Sequence, residues 1–162
     1  MMMTNIIGVF VMLLAIYLAD AASELPPECN DYLVLDDPTR NVNHGYEYNG
    51  DVSGSYCTSV DWQGRNQWYR VIPPAGEVIP QTSVKWSHCG TYNGGWINGN
   101  HPTDVGQHVE VEVCFSADGY EDYDDCVAHH NIGVTNCGSY FVYYLTGEGI
   151  SCGVRYCSAD TL

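Results

Sequence analysis

The sequence predicts a mostly β fold: a small, disulfide-rich single domain of antiparallel sheets with long pinned loops and little helix. Three observations carry this. Eight cysteines follow an apolar leader, short strand-like segments bounded by Gly and Pro include one that alternates apolar and polar residues with period two, and no stretch sustains a helical apolar stripe.

The leader is the run Ile6 to Leu18, broken by Asp20. It is too short for a bilayer core, which needs about 20 apolar residues, and Ala19-Asp20-Ala21 supplies the small residues that a signal peptidase requires. Residues 1–21 are therefore expected to be a cleaved signal peptide and residues 22–162 the domain. The polar end Ser158 to Leu162 offers no tail for a lipid anchor. The expected product is extracellular and secreted, with no membrane attachment after cleavage.

Within the domain, Asp37-Pro38 pairs an N-cap residue with proline at the first helical position, enough for one or two turns. Trp68 to Ile72 and Glu77 to Ile79 flank Pro73-Pro74-Ala75-Gly76 and read as a hairpin. Val109, Val111, Val113 and Phe115 alternate with His108, Glu110, Glu112 and Cys114, the pattern of a half-buried strand. Ser139 to Leu145 is almost wholly apolar and aromatic and reads as a central strand covered on both faces. Gly153 to Cys157 supplies a last short strand. The Gly- and Asn-rich stretches Asn41 to Gly54 and Tyr92 to Gly106 read as long irregular connections of the kind disulfides pin.

Cys29, Cys57, Cys89, Cys114, Cys126, Cys137, Cys152 and Cys157 form an even set behind a secretion signal, which reads as a disulfide framework whose connectivity the spacing leaves open. With 20 acidic residues against five basic ones, the formal charge is −15. This excludes nucleic acid and anionic lipid as partners, because both require a basic surface.

From Cys89 the chain reads Cys-Gly-Thr-Tyr-Asn-Gly-Gly-Trp-Ile-Asn-Gly-Asn-His-Pro, to Pro102. Asp37-Pro38-Thr39-Arg40, Trp68-Tyr69-Arg70-Val71 ahead of Ala75-Gly76, Tyr140-Phe141-Val142-Tyr143 with Leu145, and Tyr156-Cys157 accompany it in order. This set, from Cys29 to Cys157, closely resembles the uromodulin-type cysteine-rich domain. The resemblance implies the pairs Cys29–Cys137, Cys57–Cys152, Cys89–Cys157 and Cys114–Cys126. Many members carry two further cysteines that pair with each other, at the places held here by Ser83 and Asp125. Vertebrate members present N-linked mannose glycans to bacterial adhesins, at positions that map onto Asn98 and Tyr144. Asn98-Gly99-Asn100 lacks the required Ser or Thr, and the chain holds no Asn-x-Ser/Thr sequon, so that mechanism does not transfer.

Candidate binding residues are Trp96, Asn98 and His101, on the stretch after Cys89. An exposed Trp96 would stack on a sugar or anchor a protein, whereas a buried one would fill a thin core, and the core role is the one expected. His101, ahead of Pro102, suits a hydrogen bond that stabilises a turn. The acidic segment Asp118 to Asp125 departs from EF-hand spacing and reads as a solvated loop. His129-His130 lacks the i, i+4 spacing of a helical zinc site, so no metal or cofactor is implied. No nucleophile elbow, zinc-protease helix or Cys-His arrangement is present, and no catalytic residue is expected. The function expected is an extracellular binding or decoy module for a glycoprotein, microbial surface or matrix component. The alternatives are a structural component of matrix or secretion and, with less support, a secreted enzyme.

Overall fold

The computed structural model describes residues 24–45, 66–116, 126, 128–146 and 154–162. Their strands form one seven-stranded sheet: β1 (Leu33–Leu35), β2 (Gln67–Val71), β3 (Asn93–Ile97), β4 (His108–Phe115), β5 (Ala128–Asn136), β6 (Phe141–Leu145) and β7 (Val154–Tyr156), in the order β1-β2-β6-β5-β4-β3-β7. The fold is mostly β, with two 3-10 turns, Pro27–Cys29 and Pro38–Arg40, as its described helical elements. In the second turn Asp37 caps the start by accepting from the Thr39 amide at 3.0 Å, as the Asp-Pro pair predicts.

The middle of the sheet is antiparallel, but β1 pairs parallel with β2 and β7 parallel with β3. Parallel neighbours need long crossovers rather than tight turns, and period-two patterning does not reveal them. The expected hairpin at Pro73-Pro74 does not form. The chain turns there, but Glu77 and Val78 donate their amides to the Ala159 carbonyl instead of pairing back on β2. β3 lies inside the stretch expected to be irregular. Its glycines permit close packing: a Cβ on Gly95 would lie 2.5 Å from Phe115 Cε1, and one on Gly94 would lie 2.7 Å from Cys157 Sγ.

Alternation along β2, β4, β5 and β6 sorts the side chains onto two faces. Tyr69, Val71, Val111, Val113, Phe115, Ile132, Val134, Tyr143 and Leu145 form the main core. Ala75 and Ile79 of the connecting segment join that core, so among the described residues connecting segments cover part of this inner face. On the outer face, Val142 packs against the Cys29–Cys137 bridge with Leu25, Tyr32, Trp68 and Tyr140 around it. β6 is thus covered on both sides, which accounts for its nearly continuous apolar sequence.

Three disulfides among the described residues hold this arrangement: Cys29–Cys137, Cys89–Cys157 and Cys114–Cys126, with Cα–Cα separations of 5.6, 5.6 and 4.9 Å. Cys57 and Cys152 lie outside the described residues. Peptide mapping under non-reducing conditions should find no free thiol and a fourth bridge joining Cys57 to Cys152. A Cys152–Cys157 peptide would contradict both that pairing and the observed partner of Cys157. Each bridge in a small extracellular domain contributes on the order of 2–5 kcal/mol, so full reduction should unfold the chain.

Candidate functional site

The outer face is closed at one end by the small core around Cys29–Cys137. At the other end Trp96 packs with Val84, Cys89, Cys114 and Cys157. Between them lies an open band. Cross-strand register sets Trp68, Tyr144, Gly133 and Glu110 in one row across β2, β6, β5 and β4. The Trp68 ring meets Tyr144 edge-on at 5.3 Å and His108 edge-on at 5.6 Å. Gly133 makes this closure possible, since a Cβ there would lie 2.7 Å from His108 Cε1 and 3.3 Å from both Trp68 Cη2 and Tyr144 Cβ.

Hydrogen bonds fix the polar members of the band. The His108 Nδ1 lies 3.0 Å from the Thr135 hydroxyl, which donates to Glu28 at 2.8 Å. The Nε2 of the same ring lies 3.5 Å from Glu110. Half-exposed aromatics held in place, with carboxylate, imidazole and amide groups beside them, suit a ligand that has both apolar faces and hydrogen-bonding groups. Asn131 and His129 extend the exposed face along β5. The band was not legible as a site because its members come from four strands and Gly133 carries no side-chain signal.

The residues expected from the sequence fall elsewhere and do not form one exposed surface. Trp96 is 5% exposed, enclosed by the Cys89–Cys157 and Cys114–Cys126 bridges. His101 is also buried. Its Nε2 lies 2.9 Å from the Tyr143 hydroxyl, which accepts from the Ile79 amide as well. Burial lowers the His101 pKa to about 4, so the ring is neutral across the physiological range. Its partner is in a strand rather than in its own turn. It thus ties the 98–103 corner to the core, and neither ring is offered to a ligand. Asn98 alone is exposed, donating to Glu112 at 2.9 Å.

The segment Asp118 to Asp125 and Trp62 lie outside the described residues. His129 and His130 alternate across β5; His130 turns inward to the Tyr156 hydroxyl at 2.6 Å, so the pair does not converge on one point. Glu112, Cys114 and Cys126 do converge, but both sulfurs are spent in a disulfide and have no thiolate to offer a metal. Trp86 and Tyr92, each 37% exposed, stack at 6.1 Å at a separate place on the surface.

A family model described as a uromodulin-like domain matches residues 69–158. The chain is 30% identical over 131 residues to the pancreatic secretory granule membrane major glycoprotein GP2 of Canis lupus familiaris. It is 30% identical over 134 residues to that of Mus musculus and 31% over 134 residues to that of Rattus norvegicus. Each alignment covers 80% of this chain, which spans less than a quarter of the length of these relatives.

Burial makes the role of Trp96 testable. Trp96→Ala should destabilise the chain by about 3–5 kcal/mol in denaturant unfolding and sharply reduce its secretion. A stable, normally secreted variant would show instead that the indole is dispensable for folding.

Proposed function

The chain belongs to the uromodulin-like domain family, and on that footing we propose that it is an extracellular binding or decoy module. Its ligand is a glycoprotein, microbial surface or matrix component, met by the open band of the outer sheet face. The observation that supports this most is the cluster of Trp68, Tyr144 and His108 seated on Gly133. Trp68 also packs against the small core at Val142, whereas Tyr144 is half-buried and His108 exposed beside it, and interface hot spots favour aromatic groups held in this way. The expected signal peptide at residues 1–21 and the three described disulfides fit an oxidising, extracellular setting. Among the described residues no helix is long and apolar enough to cross a membrane.

Family membership also bears on catalysis. The matched relatives are designated glycoproteins of the secretory granule membrane, and we read this chain, like them, as a non-enzymatic module. Its ligand differs in kind from a mannose-dependent adhesin, because the chain has no sequon to carry an N-linked glycan. Recognition therefore falls to side chains.

The full chain should be probed against an array of extracellular glycoproteins, matrix proteins and microbial glycans. Saturable binding to one class is expected, weakened by about 2 kcal/mol or more in Tyr144→Ala or His108→Ala proteins that retain the native near-ultraviolet spectrum. Absence of saturable binding across the array would favour a structural component acting by abundance.

A further inference from the structure

β4 is paired with β5 along all eight residues, from His108 to Phe115. Its other side is paired with β3 only at Val113, Cys114 and Phe115, with one further bond from the Asn98 amide to the Glu112 carbonyl at 2.8 Å. Because a strand alternates the direction of its backbone groups, the N–H and C=O of Glu110 and His108 point to the side that Glu112 uses. Among the described residues no strand meets them there. Beside this edge runs a groove of about 450 Å³ between the 98–103 corner and residues 107–112. Among the described residues the sheet is therefore incomplete halfway along one of its longest strands.

We propose that this edge of β4 is a docking site for an extended basic segment of a protein partner, which adds to the sheet as a strand. This rests on the reading of the chain as a binding module, and it names the partner's chemistry and its mode of attachment. An unpaired edge supplies main-chain hydrogen bonds to any strand, and side chains at alternate positions decide which strand is accepted. Here Glu110 and Glu112 project on the outer face, while Val109 and Val111 project on the inner one. The complement is a segment that alternates Arg or Lys with apolar residues.

Charge selects among occupants. A second copy of this chain would set Glu110 and Glu112 against the same residues of the copy, and like charges across a strand pair are destabilising. The formal charge of −15 repels a second copy at longer range as well. β4, β5 and β6 carry no Lys or Arg. Of the five basic residues, Arg40 and Arg155 are buried and Arg70 lies 3.8 Å above the Tyr140 ring. Lys85, the remaining described basic residue, does not line this groove, so among the described residues the edge has no cation of its own and takes its cations from the partner.

The test uses the full chain and an acetylated, amidated Arg-Val-Arg-Val-Arg-Val-Arg peptide, with binding followed by calorimetry and by amide hydrogen exchange. Expected are saturable binding, new protection at the Glu110 amide, and binding weakened at least about tenfold when alternate peptide nitrogens are methylated. Glu110→Gln with Glu112→Gln should weaken it several-fold, while Tyr144→Ala should leave it unchanged. Equal affinity for the methylated peptide would mean charge attraction without strand pairing and would overturn the proposal. So would no binding, protection confined to the edge strand β1, or a dimer of the chain through β4. The Tyr144→Ala protein separates the two readings. If it loses partners on the array while the peptide fails to bind wild-type chain, the outer-face site stands and the edge site falls.

Discussion

The arrangement turns on one buried cation. Arg155, in the last strand, is fully buried, and a guanidinium removed from water is costly unless acceptors and a counter-charge compensate it. It donates to Asp37, to the Thr39 hydroxyl at 2.8 Å and to the Cys89 carbonyl at 3.2 Å. They come from two parts of the chain, each far from Arg155 in sequence. The Pro38–Arg40 turn presents Asp37 and Thr39 together, and Gly90, with φ of +66°, leaves room where a Cβ would lie 2.8 Å from Arg155 Nη1. Arg40, also buried, donates to the Tyr156 carbonyl at 3.1 Å from the same turn. Together with the Cys89–Cys157 bridge, these contacts hold β7 parallel to β3, a placement no short turn could produce.

Spending cations inside the protein shapes its outside. With Arg40 and Arg155 buried and Arg70 engaged by Tyr32 and Tyr140, carboxylates outnumber cations on the surface of the described residues. The central strands add Glu110 and Glu112 to a face to which β4, β5 and β6 bring no Lys or Arg. A field of one sign steers partners of the opposite sign and discourages self-association. The neighbouring strands supply aromatic contact area at Trp68 and Tyr144, so the interior electrostatics and the proposed recognition surface follow from one distribution of charge.

Much of the fold was legible because its signals are local. The alternation of Val109 to Phe115 gives β4, the apolar run before Leu145 gives β6, and Asp37-Pro38 gives the capped turn. β5 was missed because Ala-His-His-Asn at its start resembles a loop; tertiary pairing with β4, not apolar period, makes it a strand. β3 was missed because glycine is read as a breaker, whereas Gly94 and Gly95 answer to the closeness of Cys157 and Phe115. The site was less legible than the fold. Trp96 takes the core position expected of it and His101 reaches Tyr143 of β6 instead of its own turn, while the exposed row needs the register of four strands before Gly133 has any meaning.

The most direct measurement is the stability of wild-type and Asp37→Asn chains from near neutral pH into acid. Burial pushes the Asp37 carboxyl up, but hydrogen bonds from Thr39 and the charge of Arg155 outweigh it and hold the pKa below the ordinary value of 3.8. A depressed carboxylate stabilises the fold above its unfolded pKa and loses that contribution as pH falls through the folded one. Wild type should therefore exceed Asp37→Asn near pH 7, by about 1–3 kcal/mol given that the carboxylate is partly exposed. The gap should narrow as pH drops below about 4. Equal stability at neutral pH, or a gap that does not change in acid, would contradict the central role of the Arg155 contacts.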